Sequence, residues 1–301
     1  MTVLIGGGTG LIGGRLADLL ADAGHAPRIL TRRPGARHAR HALYGWDTER
    51  DYVDPAALDG ATHVVNLAGA GIADARWTDS RKAVIVASRT ETTGLLARAI
   101  ERDGPDVRAF VSASAIGYYG DSGEAWVGES AAPGEGFLSE STLLWEGAVD
   151  EAARTTGLRT ALIRTGIALS PDGGALERML QPARFGLSGY FGDGRQWYSW
   201  IHLDDLCRVY VAALEDERYR GPVNAVAPVP VRNRELAKVL AAKVSNPAVA
   251  VPVPALALRL ALGEMSHTVL DSTRVSSRRL VDELGFDFAY PTVGAALGAL
   301  L

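Results

Sequence analysis

Short apolar runs alternate with helical repeats over the first two-thirds of the chain, the pattern of βαβ units around a parallel sheet. Residues 2–5 read as a buried strand. Leu11, Ile12, Leu16, Leu19 and Leu20 then recur at helical spacing, and Gly24 closes that helix. A second strand is expected over residues 26–31, with further strands at 63–67, 108–112 and 160–164. Long helices are expected over 79–101 and from about 141 to Gly157. Every connection runs from strand to helix, so the sheet should be parallel, with its functional edge at the strand C-termini. After about residue 170 the pattern changes. Glycines and aromatics thicken between 185 and 200, which predicts a shaped loop region; 223–226 reads as a returning strand, 247–254 as extended and proline-rich, and 255–301 as short helices.

These elements predict an α/β fold: a Rossmann-type doubly wound parallel sheet with a smaller C-terminal substrate lobe. The expected division is a nucleotide-binding domain over 1–170, with a returning segment near 199–226, and a lobe formed mainly by 171–301. A length of 301 residues with 47% hydrophobic and 22% charged positions suits such a globular chain. The 31 basic and 35 acidic side chains leave a formal charge of −4, which argues against a nucleic-acid partner. The single cysteine, Cys207, has no partner for a disulfide or a CxxC site, and the six histidines show no metal-ligand spacing. No metal is expected. The N-terminus lacks the charged and apolar regions of a signal peptide, and the most apolar later stretch, 251–263, is too short to span a bilayer. A cytoplasmic protein with a small-molecule substrate and no membrane partner is the expectation, with the exposed faces of the helices near 79–101 and 141–156 as candidate homodimer surfaces.

The strongest chemical signal is the run from Gly6 to Gly13. Gly7, Gly10 and Gly13 form G-x-x-G-x-x-G between a strand and a helix, with Gly8, Thr9, Leu11 and Ile12 completing the loop. Such glycines permit a tight turn, close backbone approach to a pyrophosphate and close helix–sheet packing. The helix N-terminus offers free N–H groups and a positive dipole to phosphates. At the end of the second strand an NAD site usually carries a carboxylate for the ribose 2′-hydroxyl. Here the chain reads Thr31-Arg32-Arg33. A carboxylate would repel a 2′-phosphate, whereas arginine binds it through a planar fork, so NADP is the expected cofactor and Arg32 its first contact. Asn66-Leu67-Ala68-Gly69 ends another strand, and small residues there let the cofactor pass close over the sheet, so the backbone around Leu67 and Ala68 should face it.

With these pieces aligned, the chain resembles the extended short-chain dehydrogenase/reductase superfamily of the nucleotide-sugar epimerase type, and more closely its atypical epimerase-like family. The resemblance rests on GGGTGLIGGRL (6–16), LTRRPG (30–35), GWD (45–47), NLAGAGI (66–72), RW (76–77), SRTETT (88–93), SASAIGYYG (112–120), IRTGIALS (163–170) and WIHLDDL (200–206), and on matching segments of the tail. It implies an NADP-type cofactor, a Rossmann domain with a substrate lobe, and a cofactor contact from Arg89. It also implies a Tyr and a Lys four residues apart on one helix face, the lysine tuning the phenol for proton transfer. Residues 137–146 contain neither. The remaining catalytic candidates are Ser114, placed to polarise a carbonyl, and Tyr118 and Tyr119 behind it, with Glu140 as a more remote carboxylate. Trp200, His202 and Arg195 are the candidate substrate contacts, His202 also suiting a positioning role before Asp204-Asp205. Three functions remain open: an NADP-dependent oxidoreductase or epimerase-like enzyme, a non-catalytic NADP(H) sensor, and a scaffold with a vestigial pocket.

Overall fold

The computed structural model describes residues 1–33, 40–244 and 248–301. Positions 34 and 35 of the LTRRPG segment and Pro247 of the expected extended run lie outside the described residues. The first half of the chain comprises β1 (Thr2–Gly6), α1 (Leu11–Asp22), β2 (Ala26–Thr31), β3 (Ala42–Asp47), β4 (Tyr52–Val53), β5 (His63–Asn66), α2 (Asp79–Asp103), β6 (Ala109–Ala115), β7 (Trp126–Val127) and α3 (Phe137–Thr156). There follow β8 (Arg159–Thr165), β9 (Ile167–Ser170), α4 (Gly174–Ala183), β10 (Leu187–Phe191), β11 (Trp197–Tyr198), β12 (Trp200–His202), α5 (Leu203–Glu215) and β13 (Gly221–Ala225). The last part holds β14 (Val231–Arg232), α6 (Asn233–Lys243), β15 (Val249–Val253), α7 (Ala255–Leu262), α8 (His267–Leu270), β16 (Arg274–Val275) and α9 (Val293–Leu300).

The central sheet has the order β13-β8-β6-β5-β1-β2-β3-β4. Its neighbours pair parallel except at the edge, where β4 turns back antiparallel on β3. Val3, Leu4 and Ile5 of β1 are fully buried because helices cover both faces. On one face α1 and α5 contribute Leu16, Leu20, Leu206 and Tyr210; on the other α2 and α3 contribute Leu95, Leu96, Ile100, Trp145 and Val149. A separate apolar cluster, including Leu176, Leu180, Trp200, Leu236, Leu240 and Leu297, joins α4, α6 and α9. No helix among the described residues is long and apolar enough to cross a membrane.

Local chemistry sets the helix ends. Thr78 caps α2 by accepting from the Arg81 amide, and α3 stops at Gly157, whose left-handed φ of 69° suits glycine. Two expectations change. The helix expected from about residue 141 begins at Phe137, one turn earlier, where Gly136 at φ 87° turns the chain into it. The segment 185–200, expected to be irregular, contains strands β10, β11 and the start of β12. Their partners, β15, β14 and β9, lie far away in sequence, so local periodicity does not reveal them.

Candidate functional site

The sheet register aligns the C-terminal ends of its central strands. Gly6 pairs with Asn66, Asn66 with Ser112, and Ala115 with Thr165. The segments that follow these residues therefore share one edge. Gly7 has a left-handed φ of 78°, and a Cβ there would lie 2.7 Å from the Leu67 carbonyl carbon and 2.8 Å from the Ala68 nitrogen. A Cβ at Gly13 would collide with the Gly7 carbonyl, and one at Gly8 would press on the Ile29 side chain. The glycines thus allow loop, helix and neighbouring strand to touch backbone to backbone. Gly10 caps α1 with no side-chain hydrogen bond and no acidic residue follows in the first turn, while Thr9 and Gly10 are exposed and Leu11 and Ile12 partly so. Buried Asn66 fixes the next turn, accepting from the Ala68 amide at 3.1 Å and donating to Thr93 at 3.2 Å.

Thr31 is nearly buried and its hydroxyl accepts from the Arg33 amide at 3.2 Å; Arg32 and Arg33 are both exposed beyond it. Arg89 reaches this edge from α2. Its guanidinium donates to the carbonyls of Ala70 and Ile85, at 3.1 and 2.8 Å, and lies 5.0 Å from the Trp145 ring centre. Burial, with Arg81 adding repulsion, pulls its pKa down to about 10. Among the described residues no carboxylate forms an ion pair with it. Arg89 is thus a cation held against the loop that follows β5.

The catalytic candidates meet at a different chemistry. Ser114 is 3% exposed and donates to Glu146 Oε1 at 2.6 Å. Glu146 is bound through both oxygens by Arg164, at 2.8 and 2.7 Å. Arg164 also donates to the Tyr119 hydroxyl at 3.0 Å, and that hydroxyl donates to Asn224 at 2.6 Å. Burial raises the Tyr119 phenol pKa despite neighbouring Arg164. Tyr118 covers Arg164 with its ring face, 3.5 Å from the guanidinium carbon to the centroid. All three candidates thus converge on one buried ion pair, and the hydroxyls of Ser114 and Tyr119 are committed within it. Glu146 and Arg164, neither of them singled out as a site residue from the sequence, are its centre. Glu140 is exposed at the start of α3.

The three candidate substrate contacts scatter. Trp200 has no exposed surface and its indole nitrogen donates to the Val229 carbonyl at 3.0 Å, so it packs within the apolar cluster of α4, α6 and α9. His202 is the N-cap of α5: its Nδ1 accepts from the Asp204 amide at 3.0 Å, and its ring stacks on Tyr290 at 3.8 Å. Burial lowers its pKa, which keeps the ring neutral and able to accept. It holds the helix and does not line an opening. Arg195 is exposed in the turn beginning at Gly192, its carbonyl accepting from Arg232.

The family model "NAD dependent epimerase/dehydratase family" matches residues 3–225, and a domain of unknown function, DUF1731, matches residues 253–300. Epimerase family protein Mb2239 of Mycobacterium bovis is 37% identical over 297 residues, spanning 98% of this chain and 96% of its own. Epimerase family protein SDR39U1 of Homo sapiens is 34% identical over 301 residues, spanning 99% and 98%. The crystal structure of human epimerase family protein SDR39U1 (isoform 2) with NADPH aligns with a TM-score of 0.88 at 32% identity, covering 100% of this chain and 99% of that one.

Proposed function

This chain belongs to the NAD dependent epimerase/dehydratase family, and we propose that it binds NADP(H) at the C-terminal edge of the sheet and acts on a small carbonyl or sugar-like substrate. The observation that carries the reading is the uncapped start of α1, held against Leu67–Ala68 by glycines that admit no Cβ. That geometry suits a pyrophosphate on the backbone amides from Gly8 to Gly13. Exposed Arg32, with Arg33 beside it, suits a 2′-phosphate, and Arg89 supplies a second cation. The human relative crystallised with NADPH supports the same choice of cofactor. Bound NADPH would supply a hydride. The chain's own residues bind and orient the cofactor. We assign 1–170 to the nucleotide-binding domain and most of 171–301 to a substrate lobe.

A second reading, an NADP(H)-binding sensor without turnover, is favoured by the Arg164 network. A positioned acid or base typically contributes ~10²–10⁴-fold to rate, and here the Ser114 and Tyr119 hydroxyls are tied to Glu146 and Asn224. NADPH-loaded protein mixed with a panel of ketones and aldehydes in single-turnover experiments separates the two. Oxidation of bound NADPH that falls in Ser114→Ala supports the enzyme. Tight binding with no oxidation across the panel supports the sensor.

A further inference from the structure

Residues 69–77 lie between the end of β5 and the start of α2 and touch both ends of the chain's architecture. They leave the Leu67–Ala68 backbone, against which Gly7 packs. Their near half is pinned to α2. The Ala70 amide donates to the Ser88 hydroxyl at 2.9 Å, the Ala70 carbonyl accepts from Arg89 at 3.1 Å, and the Gly71 carbonyl accepts from Arg81. Trp77 Nε1 closes the segment on itself by donating to the Ile72 carbonyl at 2.8 Å, and its ring meets Phe137 of α3 edge-on at 4.9 Å. The far half reaches the tail. Arg76 donates to the Leu260 carbonyl at 3.5 Å and lies beside Gly263, where φ is 61° and a Cβ would stand 3.1 Å from the guanidinium. One turn into α2, Lys82 forms an ion pair with Glu264 and sits 5.1 Å from the centre of the Phe137 ring.

We propose that residues 69–77 are a strap that gates the cofactor site, and that Lys82 and Glu264, with Arg76, are the latch that holds it against the tail. Two kinds of contact divide the work. The Trp77–Ile72 and Arg81–Gly71 bonds lie within the strap and its supporting helix, so they keep its shape whether or not the latch is made. The contacts that cross to the tail are polar and wet: the Lys82 and Glu264 side chains are 27% and 41% exposed, and Arg76 is exposed. An exposed ion pair is a weak tie, strong enough to bias a gate and too weak to lock it. The close approach of Arg76 needs glycine at 263, both for the space and for the left-handed backbone. None of the latch residues belongs to the glycine loop or is Arg32 or Arg89, the groups assigned above to the cofactor. The latch is therefore made equally with the site empty or filled. A tie that favours neither state leaves the binding equilibrium alone and acts on the rate of passage.

The proposal rests on the reading of this chain as an NADP(H)-binding protein, and the test separates the two. NADPH entry and exit are followed by stopped-flow fluorescence on the full-length protein, exit being started by a chase of excess NADP⁺. Wild type is compared at low salt with Glu264→Gln, with Arg76→Ala, and with the charge exchange Lys82→Glu plus Glu264→Lys. Glu264→Gln should speed entry and exit together, roughly two- to fivefold as the loss of one exposed ion pair allows, with Kd held within about twofold. Arg76→Ala should shift both rates in the same direction. The exchange variant should return them to wild type, and high salt should bring wild type to the rates of Glu264→Gln, because an exposed pair is screened. Unchanged rates in Glu264→Gln, or rates that the exchange does not restore, overturn the latch. Faster exit alone, with a matching loss of affinity, also overturns it and makes Glu264 a cofactor contact. Hydrogen exchange of residues 69–77 in cofactor-free protein supplies a readout that needs no NADPH, and it should quicken in Glu264→Gln. If wild type binds no NADPH, quickened exchange leaves the latch standing and removes the cofactor reading, whereas unchanged exchange removes both.

Discussion

Glu146 and Arg164 illustrate what a single residue does in this molecule. Both are nearly buried, so each is tolerable only because the other is present, and Ser114 and Tyr119 complete the hydrogen bonds around them. Glu146→Ala leaves the guanidinium buried and unpaired, and the expected loss is about 3–5 kcal/mol in denaturant unfolding. The double variant Glu146→Leu with Arg164→Met should recover most of it. A single-variant loss below about 1 kcal/mol would show that solvent reaches the pair. Sequence reading found Ser114, Tyr118 and Tyr119 through their motif but not the pair that organises them. The partners stand 18 residues apart on different elements. A signal was present: Arg164 interrupts the apolar strand Ala161-Leu162-Ile163, and Glu146 shares a helix face with Thr142 and Val149. A charge at each buried-face position asks for an opposite charge, but the strand order needed to match them is not written locally.

At the scale of the element, α1 and its glycine loop were legible because their chemistry is local: an apolar strand, three spaced glycines and a helical repeat. The loop also provides a controlled pair of substitutions. A Cβ at Gly13 meets the Gly7 carbonyl, whereas one at Gly14 meets nothing closer than the Gly8 oxygen at 3.7 Å. Gly13→Ala should therefore destabilise the fold by about 1–3 kcal/mol through overpacking and weaken NADPH binding by parting the loop from α1. Gly14→Ala should be neutral or stabilise by up to about 1 kcal/mol through helix propensity. Thermal unfolding and NADPH titration of both variants check this; equal effects would mean that the close packing is not what the glycines serve. The strands β10, β11 and β12 were not legible, since each is short and stabilised by a partner 30 or more residues away. Trp200, placed by its aromatic surroundings among the substrate contacts, belongs to that hidden packing.

The molecule as a whole should lose stability on the acid side through histidines that it holds neutral. His63 on β5 has its pKa pulled from the ordinary 6.5 to about 4, by burial first and then by Arg159 and other nearby cations. The unfolded chain binds this proton more readily, so stability is fully present above about pH 6.5 and declines as pH falls towards about 4. His202, also lowered by burial, adds to the same trend. Unfolding midpoints measured between pH 4 and 8 should fall in that window, and His63→Gln should flatten part of the slope; an unchanged slope would assign the acid sensitivity to other groups. The central claim concerns the edge where β1, β2 and β5 end: a glycine-bound pyrophosphate and a 2′-phosphate on Arg32. Its most direct test is fluorescence titration with NADPH and with NADH, in wild type and Arg32→Ala. A charge-assisted contact contributes roughly 1.5–3 kcal/mol, so wild type should prefer NADPH, and Arg32→Ala should lose about one to two orders of magnitude for NADPH with NADH nearly unchanged. Equal affinity for the two cofactors in wild type, or equal losses for both in the variant, would contradict it.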